Sequence, residues 1–247
     1  MKIAVLGSGL SGLLAGKALK NLGHNDITFL SKDTEKPEPK GFIILHDNCD
    51  MDLEKCHFPV IQEGSEKVYS KKLGYGDKIT SSWKKGTKKY WMVGYNPYQA
   101  IHILHNEFKD RIFKTTVTRN NIGEIKKDYD KIISTIPPSC TMDVELEYKT
   151  IWVEELESTP RYCFDKPCVI YNGNDGHKMT RETIGLWGRY FNEYYRPVKG
   201  AEMVKKVKGY HQPKEEGIHF TGRYGKWNKN VLAHQVYYEI LGGRKWI

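Results

Sequence analysis

The spacing of apolar residues changes along the chain, and each change marks an element. Residues 2–6 (KIAVL) form an unbroken apolar run closed by Gly7, the pattern of a buried strand in a parallel sheet. Leu10, Leu14, Ala18 and Leu22 then recur every four residues on one face, with Gly23 where a left-handed cap is wanted, which predicts a helix. Residues 26–30 (DITFL) return to a strand. Strand, helix and strand joined by short links predict a right-handed crossover, so residues 1–31 read as one βαβ unit.

The polar stretch KDTEKPEPK, residues 32–40, holds two prolines and takes the chain out of the sheet. Residues 41–95 lack a sustained period; candidate strands at 42–45 and 88–93 predict an excursion into a second lobe. A helix is expected at Pro97–Phe108, with proline in its first turn. Strands are expected at 111–117, 122–125 and 130–135, the last running into Pro137 and Pro138. Alternation in VELEY and IWVEEL, between residues 144 and 170, favours an antiparallel sheet. A strand at 217–221, a glycine-bearing turn and a helix from about 231 to 241 follow. The expected class is α/β. A Rossmann-like lobe with a parallel sheet comes from residues 1–45, 96–140 and 215–247, and a smaller, mainly antiparallel β lobe from 46–95 and 141–214.

Gly7-Ser8-Gly9-Leu10-Ser11-Gly12 is a Gly-x-Gly-x-x-Gly set between the first strand and the first helix. Gly7 permits the tight turn, Gly9 lets a pyrophosphate approach the backbone, and Gly12 lets the helix pack closely on the strand. The free amides there, Leu10 and Ser11 included, favour negative charge. The turn therefore points to a dinucleotide. A carboxylate for the ribose is expected about 20 residues further on. Ser31 occupies that place, followed by Lys32; the pair could receive a 2′-phosphate, as in NADP, or Asp33 could turn in to serve the ribose.

Further segments resemble flavoproteins of the amine oxidase and UDP-galactopyranose mutase-like superfamily. YDKIISTIPP (129–138) resembles the strand and turn after the family's second crossover, and Val117 in FKTTVTR resembles the valine whose backbone contacts adenine. GIHFTGRYGKWNKNVLAHQVYYEIL resembles the mutase strand, turn and final helix, with Gly222-Arg223-Tyr224-Gly225 at its Gly-Arg-x-Gly. VIYNGNDGHKMTRETIGLW (169–187) resembles the segment that carries Thr-Arg beside the substrate pocket, here Thr180 and Arg181. The resemblance covers the cofactor-binding parts, and the helical substrate region of the mutases is missing. It implies FAD as cofactor, held by Gly7, Gly9, Leu10, Ser11, Gly12, Ser31, Lys32, Val117, Gly222, Arg223, Asn230 and Val231, with the second lobe taking the substrate.

A flavin carries the redox chemistry itself, so few catalytic side chains are required. Arg181 and Arg223 are the candidates for touching flavin or an anionic substrate, each set against an ordinary exposed arginine. His46 in KGFIILHD is a candidate proton carrier, set against a hydrogen-bonded structural histidine. Trp187, Tyr190, Phe191, Tyr194, Tyr195 and Tyr210 read as inter-lobe core or as a stacking surface. His177 and His211 lack companion ligands at metal spacing, so no metal site is expected.

The formal charge of +9, from 39 basic and 30 acidic residues, implies anionic partners. Lys71, Lys72, Lys78, Lys84, Lys85, Lys88 and Lys89 alternate with Tyr69, Tyr75, Trp83 and Tyr90, which reads as a solvated surface or as a nucleic-acid face. Five cysteines without a Cys-x-x-Cys pair are expected to be free thiols. No apolar run approaches the roughly 18 residues of a membrane span, and the amino terminus lacks a signal-peptide pattern, so a cytoplasmic protein is expected. Four functions stay open. They are an FAD-dependent oxidoreductase acting on a small or nucleotide-linked anionic substrate, a non-redox mutase, a flavoenzyme modifying a nucleic-acid base, and an NADP-binding sensor.

Overall fold

The computed structural model describes residues 1–74, 83–84, 86–157 and 166–242, and within them the chain begins as its apolar spacing predicts. Strand β1 (Ile3–Leu6) is buried along its length, and helix α1 (Leu10–Asn21) crosses over to β2 (Ile27–Ser31). The two strands run parallel, from Ile3 opposite Ile27 to Leu6 opposite Leu30. Strands β5 (Ile112–Lys114), β6 (Lys131–Ser134) and β12 (Ile218–Phe220) complete a five-stranded sheet in the order β12-β6-β1-β2-β5. Every pairing in it is parallel, so all five strands end at one edge.

Both faces of this sheet are covered. On one, Ile3, Val5, Ile27, Phe29 and Ile133 pack beneath α1, α3 (Pro97–Phe108) and α6 (Ala233–Gly242). Asn96 caps α3, its side-chain oxygen accepting from the amides of Tyr98 and Gln99 at 3.0 and 3.2 Å. On the other face Ala4, Leu6, Leu30 and Ile132 pack with Ile122 and Ile125. Those isoleucines lie on a helix, α4 (Ile122–Asp128), where a strand is expected from sequence. Asn121 turns the chain there, accepting from the Thr118 amide and donating to the Thr116 carbonyl, and the two isoleucines three apart share one helical face.

The second sheet has seven strands: β3 (Lys55–Gly64), β4 (Lys89–Tyr95), β7 (Tyr148–Leu156), β8 (Cys168–Gly173), β9 (Met179–Leu186), β10 (Arg189–Tyr194) and β11 (Glu202–Val207). Their order is β11-β7-β10-β9-β8-β3-β4, antiparallel throughout except for the β3–β8 pair. Strand β3 escapes the sequence pattern because it contains Pro59. The proline lies just before Val60, where pairing with β8 begins, so its missing amide takes no hydrogen bond from that ladder. Residues 42–45 form no strand; only Leu45 pairs, exchanging backbone bonds with Tyr95 at 3.2 and 2.8 Å. After β12, the glycine-bearing turn is a single helical turn, α5 (Gly222–Gly225).

Helix α2 (Glu66–Lys72) follows β3 and buries Tyr69, which stacks on Tyr171 at 5.3 Å. Lys72 is buried as well: its ammonium donates to the carbonyls of Asn172 and Met179 at 3.1 and 3.0 Å, which removes it from the basic surface expected around residues 67–90. Of that segment Tyr75, Lys78 and Lys85 lie outside the described residues, as does Cys163 among the cysteines. Cys49, Cys56, Cys140 and Cys168 are free thiols. No helix among the described residues is long and apolar enough to cross a membrane.

The nucleotide turn depends on how closely α1 approaches β1. A Cβ on Gly12 would stand 2.0 Å from the carbonyl oxygen of Gly7, whereas one on Gly9 would meet nothing within 4 Å. Gly12→Ala should therefore lower stability by about 3 kcal/mol, since backbone would have to move. Gly9→Ala should cost at most about 1 kcal/mol. Urea unfolding of both variants, followed by circular dichroism, measures the difference.

Candidate cofactor site

Most of the residues named from sequence as cofactor ligands meet where the five parallel strands end. Gly7 follows β1 with φ +95°, a conformation that favours glycine, and Thr135 after β6 donates its hydroxyl to the Leu6 carbonyl at 2.9 Å beneath it. Gly9 precedes α1 in an extended conformation with no side-chain cap, and the helix's first internal bond runs from Leu13 to the Gly9 carbonyl at 2.9 Å. The amides of Leu10, Ser11 and Gly12 thus have no acceptor within the helix, and the space beside Gly9 is open, the arrangement that receives an anion. Leu10 offers only its backbone, because its side chain belongs to the core.

Ser31, at the end of β2, is joined to the turn by a hydrogen bond from the Ser8 hydroxyl at 2.9 Å. Lys32 and Asp33 project outward side by side, their charged groups 3.7 Å apart. The loop after β5 is tied to the same spot by the Thr115 amide, which donates to the Ser31 carbonyl at 2.7 Å, and Val117 packs near Leu30 and Leu6. On the other side Gly222 (φ +75°) lies against Ser11: a Cβ on it would stand 3.1 Å from the serine side chain. A Cβ on Gly225 would stand 2.4 Å from the Ser134 carbonyl, so α5 also packs backbone to backbone. Arg223 lies in α5, and its Nε donates to the Val231 carbonyl at 3.1 Å, so the arginine braces the approach to α6 as well as flanking the turn. Asn230 and Val231 complete that approach, both amides bonding to Asn228.

The two proposed catalytic side chains fall into different groupings. Arg181 on β9 is largely buried, stacked over the ring of Phe42 at 4.7 Å, and bonded through Nε at 3.1 Å and through Nη2 to Glu193 on β10. Lys206 on β11 donates to the other Glu193 oxygen at 2.8 Å, and the Phe42 amide to the first at 2.9 Å. Thr180 faces away from this group, its hydroxyl donating to the Glu193 carbonyl at 3.0 Å. Nothing in the sequence marks Glu193, because its partners come from three separate segments, the loop at Phe42 and the strands on either side in the chain. Burial alone would raise its carboxyl, but Arg181 and Lys206 overcome that and hold it down to about 2.

His46 lies against α6, its ring 5.6 Å from that of His234. The pair lines an open cavity of about 700 Å³ with Asp47, Lys226, Tyr238 and Glu239. Burial lowers the pKa of both imidazoles, and His46 lowers that of His234 further. The aromatic segment divides: Phe191 is core, Tyr194 bonds Glu154 at 2.6 Å, and Tyr210 is exposed.

Five parallel strands covered by helices on both faces, with a glycine turn at their carboxyl edge, define a Rossmann-like α/β fold. The fold is that of UDP-galactopyranose mutase. A crystal structure of the reduced mutase aligns with a TM-score of 0.59 at 11% identity, over 97% of this chain and 94% of the mutase chain. A variant of Klebsiella pneumoniae HpxO complexed with FAD aligns with a TM-score of 0.45 at 13% identity, over 78% of this chain and 56% of its own. Neither a protein-family model nor a curated protein matches the sequence.

The Glu193 cluster makes stability depend on acid. The folded carboxyl titrates near 2 against 4.5 for the free group, so its contribution is complete above about pH 4.5 and is lost as pH falls from there toward 2. Glu193→Gln should cost about 3 kcal/mol at pH 7, because two cations lose their counter-charge, and should flatten the fall in stability below pH 4.5. Denaturant unfolding of both proteins across that range tests the assignment.

Proposed function

We propose that this chain is a flavoenzyme that holds FAD along the carboxyl edge of its parallel sheet and oxidises a small or nucleotide-linked anionic substrate. The observation that carries the reading is the contrast within the turn. Gly7 and Gly12 are packed against backbone and side chains, while Gly9 stands open before the unbonded amides of α1. Those amides would hold the pyrophosphate. The Ser31 hydroxyl would serve the ribose, with Val117 beside the adenine. Gly222 and Arg223 would flank the flavin end, where a planar guanidinium can pair with a ring oxygen or an anionic substrate. Bound FAD would supply the acceptor, N5, for hydride from the substrate. Arg181, held rigid between Phe42 and Glu193, would fix the loop at Gly41 and Phe42 that joins the two sheets.

A second reading, non-redox mutase chemistry, draws on the extent of the structural likeness, which runs over nearly the whole of both chains. Anaerobic substrate screening separates the two. Bleaching of a flavin band by a substrate supports oxidation, and conversion of UDP-galactopyranose without net oxidation supports the mutase.

The purified protein should be yellow and release FAD on denaturation. Gly9→Asp should be colourless while unfolding cooperatively near the wild-type temperature, because its carboxylate occupies open space and repels the pyrophosphate. A yellow Gly9→Asp protein, or a colourless wild type that binds NADP, would overturn the reading.

A further inference from the structure

Strands β7 and β11 lie at one margin of the second sheet, and their register sets Lys149 directly opposite Lys206. Like charges at opposed positions of an antiparallel pair repel one another, so the pairing works against the sheet. Lys206 has a counter-charge in Glu193, but Arg181 shares that carboxylate, and the cluster's one anion is already matched. Lys149 has no ion-pair partner among the described residues; its neighbour Lys208 lies by Glu147, 3.7 Å away. The Lys149 stem runs beside the end of α2, where a Cβ on Gly74 would stand 3.2 Å from its Cδ and 3.5 Å from its Nζ. Burial lowers its pKa to about 8, and Lys206 and Lys208 add to the fall. Lys206 is likewise lowered to about 8, by burial and by the fields of Arg181 and Arg223 against the pull of Glu193.

Two tethers bring α5 to the same margin. The Tyr224 hydroxyl donates to the Lys205 carbonyl at 2.9 Å, and the Trp227 indole to the Glu147 carbonyl at 2.8 Å. These bonds fix the turn that carries Arg223 against β11 and the approach to β7. Cations crowded by the backbone itself, with their one carboxylate already occupied, form an electrostatic deficit that an incoming anion would relieve.

We propose that Lys149 and Lys206, with Arg223 adjoining, form a binding site for a phosphate group of the substrate. A phosphate dianion suits the site better than a carboxylate, because Arg181 and Glu193 balance each other and more than one positive charge is left over. The enzyme would then act on a phosphorylated or nucleotide-linked compound. The place of this site beside the flavin rests on the flavoenzyme reading; the anion site itself does not.

Thermal unfolding of the protein as purified, with inorganic phosphate or with acetate at matched ionic strength, tests the proposal. Phosphate should raise the wild-type Tm more than acetate does. Lys149→Met keeps the packed stem and removes the charge. It should lose more than half of the phosphate-induced rise while unfolding no earlier than wild type without phosphate, and Lys149→Gln should behave alike. Flavin content, read from absorbance, should be unchanged. Equal phosphate shifts in wild type and variants would overturn the site, as would a phosphate effect no greater than that of acetate. A lower anion-free Tm in both variants would do so too, since it would mark Lys149 as a structural group. A colourless wild type would remove the flavoenzyme reading, and the comparison of phosphate shifts would still decide the anion site.

Discussion

The carboxyl edge of the parallel sheet depends on one close approach, the face of α1 at Gly12 against the carbonyl of Gly7. No side chain fits between them, and because none does, the helix starts directly over the end of β1. Other elements are fitted to that start. Thr135 supports the turn from β6, Ser8 reaches Ser31 at the end of β2, and Gly222 closes on Ser11 from the last strand. Moving α1 outward would pull at each of these contacts in turn. The two other close approaches on this edge, at Gly222 and Gly225, repeat the device and let α5 lie close against Ser11 and Ser134.

The second organising element is the Glu193 carboxylate, which collects the Phe42 amide, Arg181 and Lys206. It joins the loop leaving the first sheet to three strands of the second. A buried carboxylate with two cations and an amide around it specifies direction as well as holding charge, because each donor must arrive from its own side. Across the neighbouring register Lys149 on β7 stands opposite Lys206, with no ion-pair partner among the described residues.

Much of the first sheet could be read from residues because its determinants are local. The apolar run at 2–6, the four-residue spacing after it, the glycine turn and Asn96-Pro97 each specify their structure within a few positions. The second sheet could not be read so directly. Strand β3 takes one partner from the neighbouring β4 and another, in parallel, from β8 more than a hundred positions away, and Pro59 hides it from the pattern. The isoleucines at 122 and 125 mislead because a short apolar segment fits a strand or a helix, and only Asn121 decides. Arg181 could be singled out but not explained, since its meaning depends on Glu193, and the polar-apolar alternation of β10 gives no sign that this glutamate is buried.

The packing of α6 on α1 bears on when the protein can form. Tyr237 receives a hydrogen bond from Asn21 across 216 positions at 2.7 Å, and Val236 and Ile240 belong to the same core as Leu13, Leu14 and Ala18. Until the segment carrying β12 and α6 is made, the part of α1 that α6 covers stays exposed and β6 lacks its β12 neighbour. Contacts so distant in sequence form slowly and expose apolar surface meanwhile. A growing chain that has not yet reached β12 therefore carries the complete glycine motif without the elements that close on it from β12 onward.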